Sequence, residues 1–331
     1  MVAAPVAATL SISGVRMARV VRVAAVQVAP AFLDLEASLD KLEVWARKAA
    51  AEGARIVAFP ETWLPGYPAW IDSSPEAAIW AHPGAKTLFA RLFENAVTVP
   101  GPVTTRLGKL SKELGVTLVV GAHERAGRTL YNVLLTFGAD GALLNHHRKL
   151  VPTYTERLVW GHGDGHGLKA VDAAGVKLGG LICWEHWMPL ARQAMHDTGE
   201  EVHVAAWPGV QEMHQVASRH YAFEGRCFVI AVGSILRVDQ MPAELPPLEK
   251  YAKDPKGLMI PGGSAIIAPN GRYLAGPVVD QETLVVADCD LDETVREAQT
   301  LDVSGHYSRP DILDFQVRPS PPRRGQAMSA G

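Results

Sequence analysis

The chain has 331 residues, 48% of them hydrophobic and 20% charged, with 32 Lys plus Arg against 35 Asp plus Glu. A net charge of −3 with both signs intermixed excludes disorder for most of the chain and offers no basic face for a phosphate backbone, so nucleic acid is set aside as a partner. Three cysteines without a close pair exclude a disulfide framework and a CxxC zinc site, which fits a reducing, cytoplasmic setting, and no apolar run reaches the roughly 18 residues that span a bilayer.

Residues 1–17 are small and mildly apolar without a basic start, so they read as a flexible extension rather than a secretory leader. An apolar segment opening at Met17 supplies a strand at 20–28, and Leu35, Leu39, Leu42, Ala46 and Ala49 then recur at helical spacing until Gly53. A short strand at 55–59 completes a β-α-β unit. A helix at 104–114 leads to strands at 116–124, 130–137 and 142–149, with Asp140-Gly141 as the turn between the last two. Further strands are predicted at 168–173, 176–183, 202–206, 228–234, 264–268 and 284–290, and helices at 189–198 and 213–225. So many strands exceed one open sheet, so the expected architecture is α/β, with two packed sheets flanked by helices. No linker divides the middle. One domain over 18–315 is expected, with the Pro-rich 241–261 as a surface loop and 316–331 as a flexible tail.

Three chemically able residues each follow a different predicted strand. Cys183 ends the apolar run Leu178-Gly179-Gly180-Leu181-Ile182, with Pro189 suited to the first turn of the next helix. A thiol in such a strand-to-helix turn is expected to have its thiolate stabilised by backbone N–H groups and the helix dipole. Glu61 closes Phe59-Pro60-Glu61 ahead of an aromatic loop, and Lys149 closes the strand through His147 and Arg148, with Glu156 seven residues on. Alone, each has an ordinary reading: a buried apolar thiol, a solvated loop carboxylate, a surface lysine. In an α/β sheet, however, reactive groups collect beyond the carboxyl ends of strands, so the three can converge. Cys227 and Cys289 keep the ordinary buried reading.

The stretches around Glu61 (Phe-Pro-Glu-Thr-Trp-Leu-Pro-Gly-Tyr-Pro), Lys149 (His-Arg-Lys-Leu-Val-Pro-Thr) and Cys183 (Ile-Cys-Trp-Glu-His-Trp-Met-Pro-Leu) resemble the nitrilase branch of the carbon-nitrogen hydrolases. The resemblance runs from about Val20 to about Phe315. It implies a four-layer α-β-β-α sandwich, a Glu61-Lys149-Cys183 triad supported by Glu156, and self-association into dimers or larger assemblies. It also implies no metal and no other cofactor. The Trp184 N–H is expected to join Lys149 in stabilising charge on the substrate, and Tyr67, Trp160, Trp187 and Trp207 are expected to face a nitrile substrate.

Other readings are weaker. His162 and His166 are four apart, but Gly163 and Gly165 between them disfavour the helix that would present two imidazoles to a metal. His186 could form a Cys-His pair with Cys183, and the run 161–167 resembles a phosphate loop but lacks the following Lys-Ser/Thr. An amidase or carbamoyl hydrolase with the same triad is the main alternative, and a catalytically silent scaffold is the other.

Overall fold

The computed structural model describes residues 19–249, 253 and 256–319. The expected extension 1–17 lies outside the described residues, and only 316–319 of the expected tail lie within them. There, Gly165 N–H donates to the Pro319 carbonyl at 3.0 Å.

Val20–Gln27 (β1), Leu35–Ala51 (α1) and Ile56–Ala58 (β2) form the predicted β-α-β unit, with β1 and β2 parallel and Val23 opposite Ile56. Asp34 caps α1 by accepting from the Ala37 N–H at 3.0 Å. Of the predicted stripe, Leu39, Leu42, Ala46 and Ala49 are buried and Leu35 is part buried, and each fully buried leucine contributes about 1.5 to 3 kcal/mol. Two helices that the sequence reading passed over follow, Trp70–Ser73 (α2) and Pro83–Glu94 (α3), and then Pro102–Leu114 (α4), closed by Gly115 in the left-handed region. Thr117–Ala126 (β3) pairs parallel to β2, while Thr129–Phe137 (β4) and Leu143–Arg148 (β5) continue antiparallel. After two reversals β5 runs the same way as β2.

The second half repeats the logic. Val171–Ala173 (β6) and Val176–Ile182 (β7) form a hairpin, Pro189–His196 (α5) leads to Val202–Ala206 (β8), and Glu212–Gly225 (α6) leads to Phe228–Val232 (β9). Strands β7, β8 and β9 are parallel. Ile235–Arg237 (β10), Leu258–Ile267 (β11), Tyr273–Val279 (β12) and Thr283–Asp290 (β13) complete the strands before Asp292–Ala298 (α7). The order is β13-β1-β2-β3-β4-β5 in one sheet and β10-β11-β9-β8-β7-β6 in the other, with β12 paired to β11.

Strand alternation builds the layers. On β1, Val21, Val23 and Ala25 face a core shared with Leu178, Leu181 and Val204 of the second sheet, while Ala24 and Val26 face Leu39, Leu42, Leu107 and Leu110 of α1 and α4. Met195 of α5 and Ala217, Tyr221 and Ala222 of α6 cover the second sheet. The result is the α-β-β-α sandwich. Among the described residues no helix is long and apolar enough to cross a membrane.

Candidate active site

Glu61 lies three residues beyond β2, Lys149 immediately beyond β5 and Cys183 immediately beyond β7, so three strand ends from two sheets deliver them to one place. Close backbone approach makes this possible. A Cβ on Gly121 of β3 would lie 2.8 Å from Glu61 Cα, and one on Gly163 would lie 2.6 Å from the Lys149 carbonyl oxygen. The glycine-rich run 161–167 is thus packing against β5, with Gly163 N–H donating to the Lys149 carbonyl at 2.9 Å. Glu61 N–H donates across the sheets to the Trp207 carbonyl at 3.2 Å.

Lys149 Nζ donates to Glu61 Oε1 at 2.9 Å and to Glu156 Oε2 at 2.7 Å, with all three side chains almost fully buried. Cys183 Sγ and one carboxylate oxygen from each glutamate lie within 4.8 Å of one another. The structure therefore brings Glu61, Lys149, Glu156 and Cys183 together. Glu61 Oε1 also accepts from Asn132 Nδ2 at 2.6 Å, whereas Oε2 is buried without a hydrogen-bond partner among the described residues. Glu156 accepts from Tyr67 OH at 3.1 Å and from the Thr153 N–H at 2.8 Å.

Burial pushes the Glu61 carboxyl up to about 7, against the pull of the Lys149 charge and with a further push from Glu156. Burial would lower the Lys149 ammonium, but Cys183, Glu61 and Glu156 together raise it, so it stays charged. The expectation of a stabilised thiolate at Cys183 is corrected. Burial pushes the thiol well above its usual range, Glu61 adds to the rise and Lys149 opposes it. The physical reason is local. Cys183–Trp187 is one 3-10 turn ahead of α5, and its dipole is outweighed by burial and carboxylates arriving from other strands. A neutral thiol beside a carboxylate poised near neutrality is a nucleophile and base in reach of one another. Cys183 also has φ of 53°, a left-handed conformation that a non-glycine residue keeps only when its surroundings hold it there.

A cavity of about 420 Å³ opens on the cluster, lined by Tyr67, Asp72, Glu156, Cys183, Trp184, His214 and Met259 among others. Of the aromatic residues expected to face a substrate, Tyr67 lines it and Trp160, Trp187 and Trp207 do not. Trp160 is buried behind Tyr67 and donates to His123 Nδ1 at 3.0 Å. Trp207 is buried and donates to Ser218 Oγ at 3.1 Å, and Trp187 is exposed. Indoles whose N–H groups are tied to buried acceptors belong to the core. Trp184, a residue selected from the sequence for its backbone alone, lines the cavity as well, with Tyr154 and His214.

The sequence matches the family of carbon-nitrogen hydrolases over residues 22–299. The chain belongs to that family. It is 39% identical over 324 residues to the bifunctional nitrilase/nitrile hydratase NIT4A of Lupinus angustifolius, covering 96% of this chain and 91% of that one. It is 38% identical to the aliphatic nitrilase of Sinorhizobium fredii, covering 91% of this chain and 96% of that one. To the arylacetonitrilase of Trametes versicolor it is 35% identical, covering 92% and 99%. These similarities place it in the nitrilase branch. Among solved structures, Nit3 of Saccharomyces cerevisiae superposes with a TM-score of 0.66 at 17% identity, over 88% of this chain and 97% of that one, a likeness of fold.

In this carbon-nitrogen hydrolase two supporting residues escaped the sequence reading. Asn132, the amide in the apolar run of β4, holds Glu61; that isolated polar residue was the available signal. Glu185 accepts from the Ile182 N–H at 2.7 Å, the Leu150 N–H at 2.8 Å and His147 Nε2 at 2.8 Å. Burial alone would raise its carboxyl, but His147 and the two backbone donors lower it, so one carboxylate ties the segment after Lys149 to the segment before Cys183. The ligand atoms of Glu61, Glu156 and Cys183 are close enough together for a small cation. Lys149 Nζ already supplies the positive charge between the two carboxylates.

Proposed function

We propose that this hydrolase converts an organic nitrile to the carboxylic acid and ammonia through covalent intermediates on Cys183. The observation that carries the reading is the buried thiol facing Glu61 and Glu156, with Lys149 held between the two carboxylates. A nitrile carbon is a modest electrophile and calls for a sulfur nucleophile. Glu61, near neutrality and with Oε2 unpartnered, takes the thiol proton as the C–S bond forms and passes it to the nitrile nitrogen, giving a thioimidate. Water adds to the thioimidate carbon with Glu61 as base. The tetrahedral carbon then loses ammonia to leave an acyl thioester, and a second water releases the acid and restores the thiol. Lys149 and the N–H of Trp184, in the first turn of its 3-10 segment where amides have no intrahelical acceptor, stabilise charge on the substrate nitrogen or oxygen. Glu156 keeps Lys149 charged and aimed.

A panel of aliphatic, arylaliphatic and aromatic nitriles, with acid, ammonia and amide all quantified, tests this. Acid and ammonia in equal amounts are expected as major products, with amide minor. Cys183→Ala abolishes turnover with the fold intact, Cys227→Ala and Cys289→Ala retain it, and activity survives exhaustive chelation. Predominant amide from unactivated nitriles points to a hydratase-like partition, and faster hydrolysis of amides than of nitriles moves the protein to the amidase alternative. The same reading includes a reducing cytoplasmic setting, favoured by three free cysteines. It also includes self-association, favoured by exposed Leu190 on α5 and Met213, Val216 and Phe223 on α6. Light scattering at micromolar concentration is expected to show a dimer or larger species; a strictly monomeric active enzyme contradicts it.

A further inference from the structure

A second buried polar cluster meets Cys183 at its backbone carbonyl. His186 Nδ1 lies 2.7 Å from the Cys183 carbonyl oxygen, and its Nε2 lies 3.0 Å from His203 Nε2. A carbonyl oxygen only accepts, so Nδ1 carries the hydrogen. Burial, with His203 alongside, holds this imidazole well below its ordinary range, so it is neutral and its Nε2 is a bare acceptor. His203 must then donate from Nε2. Its Nδ1 lies 2.8 Å from Glu200 Oε2, and Glu200 is ionised because His203 and His196 outweigh the effect of burial. His203 thus links the His186 ring, through Nε2, to the Glu200 carboxylate, through Nδ1.

The carbonyl at the end of this relay belongs to the Cys183–Trp184 peptide, whose N–H is that of Trp184. A peptide unit is planar, so fixing its C=O fixes the direction of its N–H, and a strong donor on the oxygen strengthens that N–H as a donor in turn. The left-handed φ of Cys183 makes such a restraint useful, since other residues must hold that backbone in place. His186 is itself pinned: Arg192 Nη1 donates to its carbonyl at 3.2 Å and Trp207 stacks on its ring at 4.9 Å.

We propose that His186, backed by His203 and Glu200, is a positioning residue that aims and polarises the Trp184 N–H for the charge developing on the substrate. This rests on the reading of Cys183 as nucleophile given above. Nitrile turnover by the unaltered enzyme is the control: its absence sinks that reading, whereas the variants below concern His186 alone.

The test compares His186→Phe, which keeps a ring but no donor, with His186→Asn, whose amide nitrogen can occupy the place of Nδ1. His186→Gln carries its amide one bond farther out and serves as a second variant without the Nδ1 donor, should the phenylalanine protein fail to fold. Cys183 labelling by methyl methanethiosulfonate, read by peptide mass spectrometry, reports the thiol independently, because that exchange needs no oxyanion donor. We expect kcat to fall about 10- to 100-fold in His186→Phe and His186→Gln. KM should stay within about twofold and the labelling rate should be unchanged. His186→Asn should recover most of kcat. A folded donorless variant with unaltered kcat overturns the proposal. So does a labelling rate that falls in step with kcat, or an asparagine variant no better than phenylalanine.

Discussion

Two buried clusters of titratable side chains flank Cys183, and they are built to opposite ends. In the first, one lysine serves two carboxylates and a thiol, Glu61 Oε2 has no hydrogen-bond partner among the described residues, and the cluster opens on a cavity. In the second, Glu200 Oε2 faces His203 Nδ1 at 2.8 Å and its Oε1 accepts from Tyr221, with His196 Nδ1 at 3.4 Å. Beyond it His196 Nε2 lies 3.2 Å from Glu224, which also pairs with Arg192 at 2.6 Å. Carboxylates alternate there with imidazoles and a guanidinium, although His196 Nδ1 makes no hydrogen bond among the described residues. Burial alone therefore does not make a group reactive; an unmatched atom next to an opening does.

After loss of the nucleophile itself, the largest effect should come from removing the unmatched group. Glu61→Gln keeps the shape but not the base, and kcat is expected to fall about 10²- to 10⁴-fold, the usual worth of general acid–base catalysis, while the thiol can still be alkylated. The pH dependence follows from the rise of this carboxyl from 4.5 to about 7. Its basic form accumulates only above about 7, so kcat/KM should climb through that value instead of the ordinary carboxylate range. Between 4.5 and about 7 the folded state holds this proton more tightly than the unfolded chain does, so the group's contribution to stability falls as pH rises across that window. An acidic limb centred between about 4 and 5 would place Glu61 on the same footing as an ordinary exposed carboxylate.

The matched cluster should titrate as stability instead. Burial would lower His196, yet Glu200 and Glu224 raise it from 6.5 to about 9. A histidine raised on folding contributes stability that is fully present below about 6.5 and lost as pH climbs through about 9. The Tm should drop by on the order of 5 °C across that interval, and His196→Asn should flatten the change. A Tm slope unaltered in the variant would remove His196 from the account.

The first cluster was far more legible in sequence than the second. Glu61, Lys149 and Cys183 each stand just past an apolar strand, and strand ends are readable from pattern. Asn132 was not, because a single amide inside β4 looks like any solvent-facing position until its partner arrives from another strand. The thiol's electrostatics were misjudged for the same reason: the local turn was visible in the sequence, but the carboxylates that outweigh it were not. The relay through His203 and Glu200 joins the 3-10 turn after β7 to β8 and α6 across the fold, and its residues read as isolated polar interruptions. The missed elements share a weak local signal. α3 buries Leu88 and Leu92 without a longer stripe, α7 buries nothing, and β12 carries Gly276-Pro277, a pair tolerated at a sheet edge.

The smallest effect should come from Tyr67, which belongs to both the first cluster and the cavity wall. Burial, reinforced by Glu156, keeps its phenol protonated, so its single hydrogen can serve Glu156 Oε1 at 3.1 Å or Asp72 Oδ2 at 3.3 Å. The other oxygen of Glu156 keeps Lys149 at 2.7 Å and the Thr153 N–H at 2.8 Å whatever Tyr67 does. Removing the hydroxyl therefore weakens the aim of Glu156 without releasing Lys149. A hydrogen bond of this kind has a net worth of about 1 kcal/mol. Tyr67→Phe should thus lower kcat between about two- and tenfold, with KM moving only if the hydroxyl also touches substrate. Steady-state kinetics on one good nitrile measures both. A fall beyond about 100-fold would place the phenol in the path of proton transfer, and the first cluster would then depend on four polar side chains plus a thiol, not three.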